Sequence, residues 1–432
     1  MDTYPTPSAI WIHAGTVVDP YTGKEAQRDV FIENGVYVES PEEGFFSHAH
    51  KIDATGMVVA PGLTELQSHL REPGETHKET IETGSQAGAK GGFTRLVCMP
   101  NTKPPCDNPG NLRLIHDAIE RGACIEVFPT GCITMGSEGQ SLAPMGSLKR
   151  AGAVAISDGG KCVQNNEVMC RAMEYARMID MCILTHCQDY SLTENAVMNE
   201  GDWSFKLGLR GWPHEAEDLM VARDAILSEK TGAPVHLQNI SSGSAIDIIE
   251  RVRSRGVPIT CEVTPHHFTL TDAVLQNYET CYKMNPPLRS EENRQRILQA
   301  LKQGVIDCIA CDHAPHADDD KDVEFDYAPF GVIGLETSLA VTLTELHHKE
   351  GFSLMRIMEL MSAAPDRILG FASKAMTAGN VADCLVFDPQ ETWVVDRHGF
   401  ASKSKNSPFL GRTLKGRNKV TIHRGKLVYS EI

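Results

Sequence analysis

Between about residues 63 and 350 the chain repeats one unit, a short apolar strand followed by an amphipathic helix, and completes it eight times. The strand candidates lie at 63–66, 95–98, 126–129, 153–157, 182–185, 235–237, 259–263 and 306–310, with helical periodicity at 79–89, 111–121, 167–179, 215–229, 245–255 and 292–301. Strand–helix alternation of this length buries its apolar faces most economically as a closed parallel barrel. The fold class expected is therefore α/β, a (β/α)8 TIM barrel, with its chemistry on the loops that follow the strand ends.

The flanks have another texture. From Ala9 to Ala60 short β-branched runs alternate with Asp-Pro, Asn-Gly and Thr-Gly turns, and strand-like text returns at 381–387, 392–395 and 419–429. The two ends are expected to join as a small β-sandwich, giving residues 1–60 and 371–432 to the sandwich and 61–370 to the barrel. With 432 residues a sizeable core is assured.

Lys and Arg number 41 against 57 Asp and Glu, a formal charge of -16, which disfavours a nucleic-acid or anionic-membrane partner. The 13 cysteines are scattered; only Cys308 and Cys311 have Cys-x-x-Cys spacing, inside an apolar strand with no second pair, so buried free thiols are expected rather than a zinc ribbon. No run of roughly 18 apolar residues occurs, and the opening residues lack a basic segment followed by an apolar one. A cytoplasmic location is the expectation.

Polar clusters sit at the ends of the strand candidates. The first strand breaks into Gln67-Ser68-His69-Leu70-Arg71-Glu72-Pro73-Gly74, where strand alternation turns Gln67 and His69 the same way. Met99-Pro100-Asn101-Thr102 follows strand two and Thr185-His186-Cys187-Gln188-Asp189 strand five. Asn285-Pro286-Pro287-Leu288-Arg289 and Cys311-Asp312-His313-Ala314-Pro315-His316 follow strands seven and eight. In this order and spacing, with Lys-Glu-Thr-Ile-Glu-Thr-Gly at 78–84 and Phe-Gly-Val-Ile-Gly-Leu-Glu-Thr at 330–337, the chain resembles the dihydroorotases of the amidohydrolase superfamily over nearly its whole length.

That resemblance implies the opening and closing of a cyclic amide by water, with zinc lowering the water pKa from about 15.7 to roughly 7 and an acidic side chain moving the proton. It also implies six metal-ligand positions, which here are Gln67, His69, Gly159, His186, Asn239 and Asp312, the last doubling as general base. Three of the six, Gln67, Gly159 and Asn239, carry residues that replace a His, a bridging Asp and a His. A neutral amide is a weak zinc ligand beside imidazole or carboxylate. Two compensations are open, Asp158 swinging into the bridge or Lys161 being carbamylated. His236, three positions before Asn239, should point to the opposite face.

The carboxylate-binding positions implied by the resemblance are intact: Arg71, Asn101 and His316, with Asn285 against the dihydropyrimidine ring. They could equally persist as loop-packing residues. The leading expectation is a catalytically deficient member, with zinc absent or substoichiometric, that is a homo-oligomer and serves as a structural or regulatory partner of aspartate transcarbamoylase. An active zinc dihydroorotase and a sensor of a small carboxylate such as dihydroorotate are the alternatives. The acidic segment 317–328 is either a lid or a solvated loop.

Overall fold

The structure is a computed structural model that describes residues 7–41 and 43–432; most of the opening heptapeptide lies outside them. Six parallel strands, Leu63–Ser68, Phe93–Cys98, Glu126–Pro129, Ile183–His186, Val235–Gln238 and Ile259–Val263, are followed by the short Cys308–Ile309. Two ladders result, one of three strands and one of four. Parallel bridges Gly131 to Ile156, Ile156 to Ile183 and Ser68 to His313 close them into a ring.

The strand expected at 153–157 is present as a short irregular stretch: Val154 N donates to Pro129 O at 3.0 Å and Ile156 N to Cys182 O at 3.1 Å, and Ile156 bridges both neighbours before the chain turns at Gly159 and Gly160. The helices fall where the periodicity put them, within a few residues. Asn108 caps Pro109–Gly122, its side chain accepting from Asn111 N, and Thr80 caps Ile81–Gly91 by accepting from Thr83 N.

Leu66, Val97, Met99, Ala155, Leu184, Cys308 and Ala310 fill the barrel interior, and the alternate strand positions pack outward on the helices. The chain ends meet beside the barrel in one branched hydrogen-bonded sheet, where two facing sheets were expected. In it Val58–Pro61 lies between Ala9–Asp19 and Cys384–Val394, and Thr413–His423 and Lys426–Ser430 continue beyond the latter. Ala9–Asp19 is long enough to pair His50–Asp53 with one half and Val58–Pro61 with the other.

Domain and barrel are tied by one buried carboxylate. Asp366 accepts from Thr64 Oγ1 at 2.7 Å, from Arg95 Nη1 at 2.7 Å and from Tyr21 Oη at 2.5 Å, with Lys374 Nζ 3.6 Å away. Burial pushes the Lys374 ammonium down to about 8. All 13 cysteines are free thiols, Cys308 and Cys311 among the buried ones. Among the described residues no helix is long and apolar enough to cross a membrane.

Candidate active site

The strand ends converge on a cavity of about 210 Å³ lined by Gln67, His69, Arg71, Asn101, Gly159, His186, Asn285, Asp312 and His316. All the site residues expected from the sequence line it except Asn239, Asp158 and Lys161. Asn239 reaches it through Asp312. First and eighth strands are stitched at its floor by His69 N to His313 O at 2.8 Å and His313 N to Gln67 O at 3.2 Å. Arg71, Asn239 and Asp312 all hold positive φ, 60°, 55° and 49°, so three of the polar side chains leave the strand ends from turns that strand periodicity does not anticipate.

His69 is held on both ring nitrogens, Nδ1 at 2.8 Å from Asn101 Oδ1 and Nε2 at 3.1 Å from Asp312 Oδ1. The other Asp312 oxygen accepts from Asn239 Nδ2 at 3.0 Å. Both carboxylate oxygens are therefore engaged by side chains from the ends of strands one and six, not by strand-eight neighbours. His186 Nε2 lies 2.9 Å from Asn285 Oδ1; Asn285 donates in turn to Gln188 Oε1 at 3.1 Å, and Gln188 to Thr193 Oγ1 at 2.8 Å. Burial lowers the His186 pKa, which keeps the ring neutral. Gln188 was not singled out from sequence, although it stands two positions after His186 in the same motif.

Neither compensation for Gly159 operates in this geometry. Asp158 turns away from the cavity: one oxygen accepts from Ile133 N and Thr134 N at 2.8 and 3.0 Å, the other from Thr134 Oγ1 at 2.6 Å. Lys161 donates to Ser137 O at 3.2 Å and lines a different cavity. Gly159 itself has φ +59°, and a Cβ there would lie 3.0 Å from Asn101 Cβ, so Asn101 has settled into the space a carboxylate would need. His236 points into the barrel interior, as alternation requires, and takes no part in the cavity.

The carboxylate-binding half is assembled. Arg71 Nε donates to Pro315 O at 3.1 Å, which fixes the guanidinium, and its Nη2 comes within 3.5 Å of His316 Nε2. His316 Nε2–H donates to Phe330 O at 2.8 Å, leaving Nδ1 buried without a partner. Burial, then the Arg71 and Lys321 charges, push His316 down to about 2. The acidic segment is neither wholly solvated nor free: Asp318 and Asp319 are exposed, whereas Lys321 is buried and donates to Thr280 O, Lys283 O and Pro329 O at 3.2, 3.3 and 2.7 Å.

His316 yields a pH prediction. Its folded pKa lies below the unfolded value of about 6.5, so as pH falls through that value the unfolded chain takes up a proton that the folded chain refuses, and stability drains away. Between pH 6.5 and 5 the wild type should lose up to about 1.4 kcal/mol per pH unit more than His316→Gln. Parallel urea titrations at the two pH values measure it; equal slopes in both chains would remove His316 from the account.

A family model described as Dihydro-orotase-like matches residues 56–245. A dihydroorotase of Citrifermentans bemidjiense is 46% identical over 423 residues, 97% of this chain and 99% of that one. This chain belongs to the dihydroorotase family. A dihydroorotase of Acetivibrio thermocellus is 42% identical over 420 residues, again 97% and 99% of the two chains. Among solved structures the L-hydantoinase (dihydropyrimidinase) of Arthrobacter aurescens superposes with a TM-score of 0.87 over 98% of this chain and 96% of that one; at 22% identity this shows the shared barrel-and-sheet fold.

The six-ligand metal set that the resemblance implies is only half supplied by the residues present. Among the described residues only one group of three or more His, Cys, Asp or Glu side chains has its donor atoms within 4.8 Å of one another, and it is not His69, His186 and Asp312. Buried amide oxygens of Gln67 and Asn239 and the Nδ1 of His186 stand without partners around the cavity. A catalytic zinc takes about three strong protein ligands and water. The strand ends offer one imidazole, His69, beside the Asp312 carboxylate, a second imidazole, His186, outside that pair, and no bridging carboxylate.

Proposed function

We propose that this chain is a dihydroorotase-family protein of pyrimidine biosynthesis that binds the carboxylate of dihydroorotate or carbamoyl aspartate and has lost most of the metal-dependent hydrolysis. The observation that carries this is the state of Asp312. Its two oxygens are engaged by His69 and Asn239, and a glycine backed by Asn101 stands where the second carboxylate would be. Gln67 and Asn239 offer only neutral amides and Gly159 offers no donor, so three of the six ligand positions keep a strong metal ligand. Arg71 supplies a charged fork for the ligand's carboxylate, Asn101 and Asn285 supply amide contacts, and His316, kept neutral, can accept at Nδ1. The resemblance implies for such a protein a structural or regulatory role beside aspartate transcarbamoylase.

Dihydroorotate at about 100 times its Kd should stabilise the fold by roughly 2.7 kcal/mol, read as a rise in melting temperature without turnover. Arg71→Met should weaken that binding by about 10- to 150-fold, the worth of a charge-assisted hydrogen bond of ~1.5–3 kcal/mol. A melting temperature indifferent to dihydroorotate in the wild type sinks the binding claim.

The second reading is an active zinc dihydroorotase interconverting carbamoyl aspartate and dihydroorotate. It is favoured by similarity: relatives named dihydroorotase match nearly end to end at 42–46% identity, which on descent alone supports this reading better than the first. Turnover of dihydroorotate by the purified wild-type chain, abolished by Asp312→Asn, would establish it.

A further inference from the structure

Among the described residues, the one set of metal-type donors that does converge lies deeper, inside the barrel. His236, Glu262 and Cys308 come from three adjacent parallel strands, in register through Glu262 opposite Cys308, and all three are fully buried. Their donor atoms lie within 4.8 Å of one another, and His236 Nε2 is 3.0 Å from Glu262 Oε2. His236 Nδ1 is 2.8 Å from Thr260 Oγ1; with Nδ1–H donating there, the Nε2 lone pair faces the other two donors. Glu262 Oε1 is buried and has no partner of any kind.

We propose that His236, Glu262 and Cys308 form a structural site for one thiophilic divalent cation of the zinc class, distinct from the strand-end site of the family's chemistry. Counting both Glu262 oxygens, the donors are one nitrogen, one sulfur and two oxygens, a set zinc accepts. Binding releases two protons, one from the carboxyl and one from the thiol. The resulting cluster of one divalent cation, carboxylate, thiolate and neutral imidazole carries no net charge, which suits a low-dielectric interior. The ion gives Glu262 Oε1 the partner it otherwise lacks. Because the site is sealed by the strands around it, the ion enters while the barrel is still open and exchanges slowly afterwards.

The test uses the full chain, purified without chelator and analysed for zinc, then unfolded with chelator and refolded with cobalt(II) alone. About one zinc that survives chelator until the protein is unfolded is expected, and after refolding a thiolate-to-cobalt charge-transfer band in the near ultraviolet. Cys308→Ser should lose the band while Cys311→Ser and His186→Asn keep it, because no sulfur donor lines the strand-end cavity. Glu262→Gln, which preserves volume, serves if Cys308→Ser does not fold, and should weaken cobalt retention at least tenfold. A zinc-free protein without the band after refolding, or a band that survives Cys308→Ser, overturns the proposal. Neither outcome depends on whether dihydroorotate binds.

Discussion

The triple variant Gln67→His, Gly159→Asp, Asn239→His should gain about two zinc ions over the wild type and acquire dihydroorotate hydrolysis. The full effect of metal on water is up to about nine pKa units, on the order of 12 kcal/mol, and recovering even a third of it is roughly a thousandfold in rate. The three changes belong together. Gly159→Asp alone puts a Cβ 3.0 Å from Asn101 Cβ, displaces the acceptor of His69 Nδ1 and supplies no second metal ligand, so alone it should cost about 1 kcal/mol and restore nothing. Added as a set, the two imidazoles release Asp312 from Asn239 and give the carboxylate something to bridge. The wild type in the same assay should be inert. Zinc-dependent turnover by the wild type, equal to that of the variant, would mean that Gln67 or Asn239 ligates through its amide oxygen and that the first functional reading is wrong.

The largest effect on stability is expected at Asp366. Asp366→Asn leaves Lys374 and one end of Arg95 as buried cations without their carboxylate, and removes the acceptor that holds the Tyr21 hydroxyl. Breaking one partner out of a buried ion pair costs about 3–5 kcal/mol. Urea unfolding should show the loss as a lower midpoint. If the carboxylate also makes domain and barrel melt as one, the variant should develop two transitions where the wild type has one. Without Arg95, Asp366 keeps the Thr64 and Tyr21 hydroxyls and the nearby Lys374 ammonium, so Arg95→Met should be less costly than Asp366→Asn. The reverse order would show that Arg95, not Asp366, anchors the junction.

Much of this architecture is legible in the sequence because it rests on local pattern. Strand–helix alternation gave the barrel, the polar clusters marked its C-terminal rim, and Arg71, Asn101, Asn285 and His316 stand together where the motifs put them. Three things were not legible. Strand four reads as a regular run like the others, yet its pairing is short and irregular, since pairing depends on neighbours and on the glycines beyond it. The fate of Asp158 depends on the backbone N–H groups of Ile133 and Thr134, some 25 positions away in sequence. The convergence of His236, Glu262 and Cys308 is set by register between strands that single-strand periodicity cannot supply. Glu262, the one charged residue in the strand Ile259–Val263, was the available signal.

The pairing of Val58–Pro61 with Cys384–Phe387 also fixes an order of events during synthesis. The strand that leads into the barrel emerges early, yet the edge it needs is encoded more than 300 residues later. At about 5–20 residues per second, that edge stays open for tens of seconds while the barrel strands are being made. The nascent chain therefore has to be shielded from pairing with other chains until the strand Cys384–Val394 has emerged. Ribosomes stalled before residue 384 should hold a protease-sensitive barrel, and ribosomes stalled with the final strands exposed a resistant one.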